Sequence, residues 1–323
     1  MRSGGKVKVP HDLVSFLKTE DNFLITTHIN PDGDAIGSAL GLALALESTG
    51  KKVTVYDRDP VPEFYRFLPG QNKFIHSLQG LDTSSFNLIL VDCNSPDRVG
   101  LEEMDFRHSC VIDHHETEKD FGQIKWVAPD AAATGLLIFY LLRESGFAVT
   151  RDIAVNLYTA IVIDTGAFRY ANTTAEVLKV GAELIEAGAN PALISNSLYE
   201  MWTDRRFALL VMVLNTLEIR DEVALTFVTR RMFNKTNTGP EDTENFANFP
   251  RMIRNVKISA FLRQMDRNHW KISLRSKGDV NVAGIASLFE GGGHKNAAGC
   301  KIKGNLKTSK ETLLKAISQL HLS

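Results

Sequence analysis

Four stretches set acidic and imidazole side chains where apolar runs end. They are THINPDGDAIGS with His28, Asp32 and Asp34; LILVDCNSPDR with Asp92; VIDHHETE with Asp113, His114 and His115; and AIVIDTGAFRY with Asp164. Together His28, Asp32, Asp34, Asp92, His114 and Asp164 offer four carboxylates and two imidazoles. Oxygen donors with some nitrogen and no thiolate suit Mn2+ or Mg2+ better than a structural Zn2+. Six such groups exceed the needs of one ion with an open position. They fit two ions about 3.5–4 Å apart with shared carboxylates, a site that activates water and clamps a phosphoryl group for in-line displacement.

Each group also has a plainer reading. Pro31 and Gly33 shape a turn, and Asp34 could cap the helix that follows. Asp92 and Asp164 could each cap a turn. The two histidines could be polar residues at a strand exit. If His114 is a ligand, Asp113 suits the role of orienting it by a hydrogen bond, which leaves His115 as a donor to substrate. Arg98, six residues beyond Asp92, suits a phosphate or a neighbouring acid equally.

A fifth cluster is FEGGGHKNAAG. Gly291, Gly292 and Gly293 let the backbone approach a ligand and turn N–H groups toward an anion, and His294 and Lys295 add donors. The stretch lacks the GK[ST] ending of a P-loop and the GxGxxG spacing of a dinucleotide site. A hinge or turn is its plainer alternative. Arg275, in SLRS upstream, could fork onto a phosphate or a carboxylate.

The elements that must position these groups follow from periodicity. NFLITTHI, KKVTVYDR, FNLILVDCN and CVIDHHE read as strands, the last two as continuous apolar runs buried on both faces. DAIGSALGLALALESTG is apolar around most of its turn, as a buried helix is, and Gly50 stops it. ATGLLIFYLLRESG and DIAVNLYTAIVID read as helices. This alternation predicts a doubly wound, mainly parallel sheet with helices on both sides. Its Asp/His clusters lie beyond the carboxyl ends of the strands, where open α/β sheets place their sites.

From about Ala187 the pattern changes. TDRRFALLVMVLNTLEI reads as a connecting helix. VALTFVTR, NVKISAFLRQ and HWKISLRS alternate as strands of a half-buried sheet. NKTNTGPEDTENFANFP reads as a polar loop, and VNVAGIASLFEGGG and SKETLLKAISQL as helices. The expected organisation is an α/β domain over 1–190, a linker helix over 191–215, and a smaller α/β domain with a mixed sheet over 216–323.

The chain has 323 residues, 44% hydrophobic and 23% charged, a soluble globular profile. No apolar run approaches the roughly 18–20 residues of a membrane span, and MRSGGKVKVP lacks a signal-peptide core. Cys93, Cys110 and Cys300 are far apart and form no CxxC pair, which points to a reducing, cytoplasmic compartment. Charge is uneven: Arg251–Lys310 holds 13 Lys/Arg against 3 Asp/Glu, net +10, while the whole chain stands at −1. A basic region on an acidic body suits a phosphate-bearing partner, or is simply a solvated lysine-rich surface.

In sequence the chain resembles the DHH phosphoesterase superfamily over nearly its whole length. THINPDGDAIGS, VDCN, DHH and DTGAF match the family's four motifs in order, and GGGHKNAAG resembles the glycine-rich motif of the DHH-associated C-terminal domain. The resemblance implies that His28, Asp32, Asp34, Asp92, His114 and Asp164 hold two divalent ions, usually Mn2+, with Mg2+ or Co2+ as substitutes. Asp92 and Asp164 would bridge them and His115 would contact the substrate phosphate. Gly291 to His294, with Arg275, would hold the far phosphate. The compact two-domain layout resembles the enzymes that cleave very short RNA and the 3′-phosphate of phosphoadenosine phosphate. Diadenylate phosphodiesterases look much alike. An inorganic pyrophosphatase is disfavoured by GGGHKNAAG, and a non-catalytic nucleotide sensor by the full set of six ligands. Many relatives are homodimers.

Overall fold

In a computed structural model, described over residues 8–101, 104–115 and 121–320, the chain divides between Met201 and Trp202 into two compact units. Most of the N-terminal decapeptide and the end of VIDHHETE lie outside the described residues.

The first unit contains α1 (His11–Thr19), β1 (Asn22–Thr26), α2 (Gly33–Ser48), β2 (Lys52–Tyr56), β3 (Phe74–Ile75), β4 (Asn87–Val91), β5 (His108–Asp113) and β6 (Ile124–Val127). These are followed by α3 (Thr134–Ser145), α4 (Arg151–Asp164), α5 (Ala175–Glu186) and α6 (Pro191–Tyr199). Its six strands run in the order β3-β2-β1-β4-β5-β6, and all pairings are parallel. The order reverses between β1 and β4. Loops leave the ends of these two strands in opposite directions there and open a crevice.

The two faces of this sheet are covered differently. Phe23, Ile25, Ile89, Val91, Cys110 and Ile112 pack with apolar residues of α1 to α6. Leu24, Leu88, Leu90 and Val111 face Leu78, Phe86, Val99 and Leu101, which come from connecting segments and short 3-10 turns rather than α-helices. The expectation of helices on both sides therefore holds for one face of the described sheet. Leucine and phenylalanine on the connections close the other, because an apolar face must be covered whatever the backbone of the cover.

Glycine sets how closely α2 meets α4. A Cβ on Gly33 would lie 2.6 Å from Ile163 Cγ1, one on Gly37 2.5 Å from the Asn156 carbonyl oxygen, and one on Gly41 2.6 Å from Leu157 Cδ2. The helices therefore run antiparallel in near-backbone contact, with the start of α2 beside the end of α4. That brings the Asp32–Asp34 turn to Asp164.

The second unit contains α7 (Asp204–Leu214), β7 (Glu218–Arg220), β8 (Val223–Val228), α8 (Arg230–Thr236), α9 (Asn248–Arg251), β9 (Ile258–Gln264), β10 (His269–Ser276), α10 (Val282–Ser287), β11 (Gly292–His294), β12 (Ala297–Lys303) and α11 (Leu306–Leu320). Its sheet is mixed, in the order β11-β12-β10-β9-β8-β7. Only β8 and β9 pair parallel; the rest are antiparallel.

Several segments differ from their sequence reading. Residues 191–215 hold two helices that fall in different units, α6 in the first and α7 in the second. The polar stretch 234–250 is partly helical, and its Phe246 is buried against Trp202, Phe249 and Phe261. A few aromatic anchors outweigh a polar composition there. The helix before the glycines stops at Ser287, and Gly292–His294 pairs with Ala297–Gly299 as a hairpin strand rather than a helix end or a turn.

Candidate metal centre

The carboxyl ends of β1 and β4 deliver the first two imidazole and carboxylate partners. His28 follows β1, and its Nδ1 meets the Ile29 carbonyl oxygen at 3.0 Å. Its Nε2 lies 3.5 Å from Asp92 Oδ2. Asp92 adopts φ 58°, a left-handed conformation costing about 1–3 kcal/mol in a non-glycine residue. The Asp92 N–H donates to the Ile112 carbonyl at 3.0 Å, and the Thr134 hydroxyl donates to Asp92 Oδ1 at 2.8 Å. The neighbours hold the strained conformation in place.

Asp32 and Asp34 divide two jobs. Asp32, not Asp34, is the N-cap of α2, accepting from the N–H groups of Asp34 and Ala35 at 3.0 and 3.1 Å. Asp34 is fully buried. It accepts from the N–H groups of Thr134 at 2.7 Å and Gly135 at 2.9 Å, and from the Ser38 hydroxyl at 2.9 Å. The start of α3 thus holds the Asp34 carboxylate with unpaired helix N–H groups.

His114 is the centre of the second group. Its Nε2 lies 3.1 Å from Asp164 Oδ2 and 3.5 Å from both Asp34 Oδ2 and Asp92 Oδ1. Its Nδ1 is 3.2 Å from the Ala131 carbonyl oxygen. Asp164 is the last residue of α4. Beyond it, Ala167 and Phe168 take φ 58° and 60°, pinned by Thr165, whose Oγ1 accepts the Phe168 N–H at 3.1 Å.

Asp113 does not orient the His114 ring. Its Oδ1 takes the His115 Nδ1 at 2.7 Å and the His114 backbone N–H at 2.8 Å, and its Oδ2 takes the Asn94 amide at 2.6 Å. The backbone turn after β5 brings the second ring, not the first, within reach of the carboxylate. The ring of His114 is oriented by Ala131 instead.

The electrostatics are those of a crowded buried anion cluster. Burial pushes Asp32 up, with the Asp92 charge adding to it, to about 6. Burial and the Asp92 and Asp164 charges hold Asp34 well above the carboxylate range. Burial opposes ionisation of Asp92, but the His28 hydrogen bond and three imidazoles prevail and hold it well below that range. Burial would lower His28; the Asp92 hydrogen bond and the Asp32 and Asp92 charges outweigh it and raise it to about 9. His114 is likewise raised against burial, by Asp164, Asp34 and Asp92.

These residues fit metal ions. Ligand atoms of His28, Asp32 and Asp92 lie within 4.8 Å of one another, and so do those of Asp34, Asp92 and His114. Asp92 belongs to both groups. A carbonyl oxygen at Nδ1 fixes the tautomer that leaves an Nε2 lone pair toward the carboxylates, the usual arrangement of a metal-bound imidazole. Asp164 reaches the same space through its contact with His114.

The other expected site residues are Arg98 in the first unit and Arg275, Gly291, Gly292, Gly293 and His294 in the second. Arg98 is half-buried at the end of a 3-10 turn after β4, and its carbonyl oxygen accepts the Ile29 N–H at 2.9 Å. Arg275, the three glycines and His294 belong to the second unit. In register, Arg275 stands opposite Ala297, and Ala297 opposite His294. A Cβ on Gly291 would lie 2.2 Å from the Gly299 carbonyl oxygen, and Gly293 takes φ +137°, so neither position accommodates a side chain without rearrangement.

Sequence reasoning misses two carboxylates. Asp57, just after β2, is buried and takes the Thr27 hydroxyl at 2.6 Å and the Asp59 N–H at 2.8 Å. Asp59 takes the N–H of Asn30 at 2.8 Å, where φ is 54°. Together they brace the loop that carries His28. YDRD ends its strand as the other clusters do, and that is the signal that could have found them. Thr134, on Asp92, is a third residue missed, and no pattern around it in the sequence marks it.

The sequence profile of the DHH family, N-terminal domain, matches residues 22–161, and that of the DHHA1 domain matches residues 221–321. A protein of Thermus thermophilus, bifunctional oligoribonuclease and PAP phosphatase NrnA, is 36% identical over 302 residues, covering 93% of this chain and 90% of that one. The chain belongs to the DHH family. Among solved structures, an exopolyphosphatase-related protein from Bacteroides fragilis matches this DHH chain with TM-score 0.90 at 28% identity, covering 98% of each. RecJ from Thermus thermophilus in complex with Mn2+ matches with TM-score 0.54 at 16% identity, covering 97% of this chain and 54% of that one; it shares the fold.

Proposed function

We propose that this DHH-family protein is a metal-dependent phosphoesterase. It hydrolyses very short oligoribonucleotides to mononucleotides and removes the 3′-phosphate of 3′-phosphoadenosine 5′-phosphate. The observation that carries the reading is the buried Asp92, which joins a ligand group with His28 and Asp32 to one with Asp34 and His114, in a chain 36% identical over nearly its full length to an NrnA.

On this reading His28, Asp32, Asp34, Asp92, His114 and Asp164 hold two divalent ions, with Asp92 and Asp164 shared. Mn2+ is the ion proposed, since oxygen donors with some nitrogen and no thiolate suit it. Such a pair lowers the pKa of water and neutralises charge that develops on a transferring phosphoryl group. The protein's own part is positioning. Thr134 and Ile112 fix Asp92, the start of α3 fixes Asp34, and Ala131 fixes the His114 ring. His115, oriented by Asp113, donates a hydrogen bond to the phosphate, and Arg98 adds positive charge. In the second unit Arg275, Gly291, Gly292, Gly293 and His294 hold a further substrate phosphate. The three cysteines are free and buried, in keeping with work in a reducing cytoplasm.

The test is direct. The protein is stripped of metal and reloaded with Mn2+, and a diribonucleotide, phosphoadenosine phosphate, linear diadenylate and pyrophosphate are followed by chromatography. Mononucleotides from the first and AMP from the second are expected. Turnover of pyrophosphate alone, or of the diadenylate alone, overturns the assignment.

A further inference from the structure

The sheet of the second unit is apolar on one face; its other face is apolar where Val228 and Phe261 pack with Leu209, Phe233 and Phe246, and basic along β10 and β12. Ile272, Leu274, Cys300 and Ile302 pack with α10 and α11. The alternate residues of β10 and β12 point the other way. Directly opposed residues share a face, so the register defines three rows there. Ser259, Arg275, Ala297 and His294 form the first, and the buried Phe261 with Ser273, Gly299 and Gly292 the second. Lys271 stands between Arg263 and Lys301 in the third.

The third row is physically unusual. Like charges directly opposite one another destabilise a sheet, yet three cations stand side by side. None of them has an ion-pair partner of the kind that ties Lys310 to Glu218 or Lys257 to Glu222 among the described residues. Lys271 is depressed by burial and then by Arg263 and Lys301, with Glu244 opposing. Arg263 is lowered by burial, with Glu241 and Glu244 opposing. A cost of that kind is offset by an anion that bridges the cations.

The floor between the rows is open. A Cβ on Gly292 would meet nothing within 4 Å, and one on Gly299 only the Ile272 carbonyl oxygen at 3.4 Å. Ser273 adds a small polar side chain. Rows two residues apart are about 7 Å apart along the strand, so Lys271 lies about 14 Å from Arg275. One phosphate cannot touch both.

We propose that Arg263, Lys271 and Lys301 form a second anion subsite, which takes an internal phosphodiester of a single-stranded oligoribonucleotide longer than a dinucleotide. This rests on the proposed function and extends it. The subsite contributes to oligomers and nothing to dinucleotides or phosphoadenosine phosphate. A regular series of phosphates, rather than one terminal group, is what two charged rows separated by a bare floor would fit.

The test compares diuridylate with pentauridylate, in Mn2+, across a salt series. Lys301→Gln is exposed and removes one charge; Arg263→Gln/Lys271→Gln/Lys301→Gln removes all three. For the triple variant KM for the pentamer should rise about tenfold, and the slope of log affinity against log salt should fall by about 0.7 for each charge removed. Lys301→Gln should give one third of that change, and diuridylate kinetics should stay unaltered in both. An unchanged pentamer slope in Lys301→Gln, or a parallel loss on diuridylate, overturns the proposal. If the wild type hydrolyses neither RNA, the proposed function fails. Fluorescence anisotropy of labelled pentauridylate then decides the subsite alone: weaker binding by the variants keeps it, and equal binding removes it.

Discussion

The Asp113 carboxylate takes the Nδ1 hydrogen of His115 at 2.7 Å, while His114 beside it turns its own Nδ1 to the Ala131 carbonyl oxygen at 3.2 Å. Two adjacent imidazoles therefore have different anchors. His114→Ala should lower Mn2+ affinity by more than about 100-fold, beyond what loss of an outer partner costs. His115→Ala should retain the metal and lower kcat by about 100- to 10,000-fold, the range of a group that moves or shares a proton. Metal content by mass spectrometry and single-substrate kinetics separate the two. Equal metal loss in both variants would refute the division.

Asp57 should behave as a positioning residue for the loop that carries His28. Asp57→Ala leaves the buried Thr27 hydroxyl and the Asp59 N–H without their acceptor, at about 1–3 kcal/mol of stability. Mn2+ affinity should fall about tenfold, as for an outer partner of a metal ligand. Asp57→Asn keeps an acceptor and should recover part of both. Calorimetric titration with Mn2+ and thermal melting check this; an Asp57→Ala protein with unaltered metal affinity removes the role.

The clusters that end strands are legible because each closes an apolar run, and chemistry at the carboxyl end of a parallel sheet follows from topology. What is not legible depends on backbone direction. Asp32 and Asp34 are both plausible caps two residues apart; which one caps is decided by the extended φ and ψ at Asp32. Which histidine Asp113 orients is decided by the turn after β5. Phe246 is hidden by polar neighbours, although burying one aromatic ring is enough to fold a polar segment onto a core. The hairpin strand at Gly292–His294 reads as a helix end or a turn because glycine marks permissive backbone and does not report the strand that pairs with it.

Between pH 5 and pH 9, stability without metal should fall as pH rises. The folded protein holds His28 at about 9, above the ordinary 6.5. Its contribution is complete below pH 6.5 and is lost as pH rises through 9. Asp32 is held at about 6, above 3.8, so the fold favours its neutral form, and that contribution is lost as pH rises through 6. Metal requires the deprotonated ligands, so the rise in Tm on adding Mn2+ should grow from pH 5 to pH 9. Scanning fluorimetry with chelator and with Mn2+ measures both arms. A metal-induced shift independent of pH would contradict the ligand set.

The last prediction concerns the helix contact that aligns the two halves of the site. A methyl on Gly37 would lie 2.5 Å from the Asn156 carbonyl oxygen, and backbone cannot rotate away as a side chain can. Gly37→Ala should force α2 from α4 and cost about 1–3 kcal/mol, as overpacking does. Because Asp34 begins α2 and Asp164 ends α4, the same separation should weaken Mn2+ binding. Gly284→Ala in α10 is the control: its nearest neighbour is 3.9 Å away, and the change should leave stability and metal binding unaltered or slightly raise stability. Thermal melts and Mn2+ titrations of the two variants decide the matter, and a Gly37→Ala protein as stable and as tightly metallated as the wild type would show that the helix contact does not set the site.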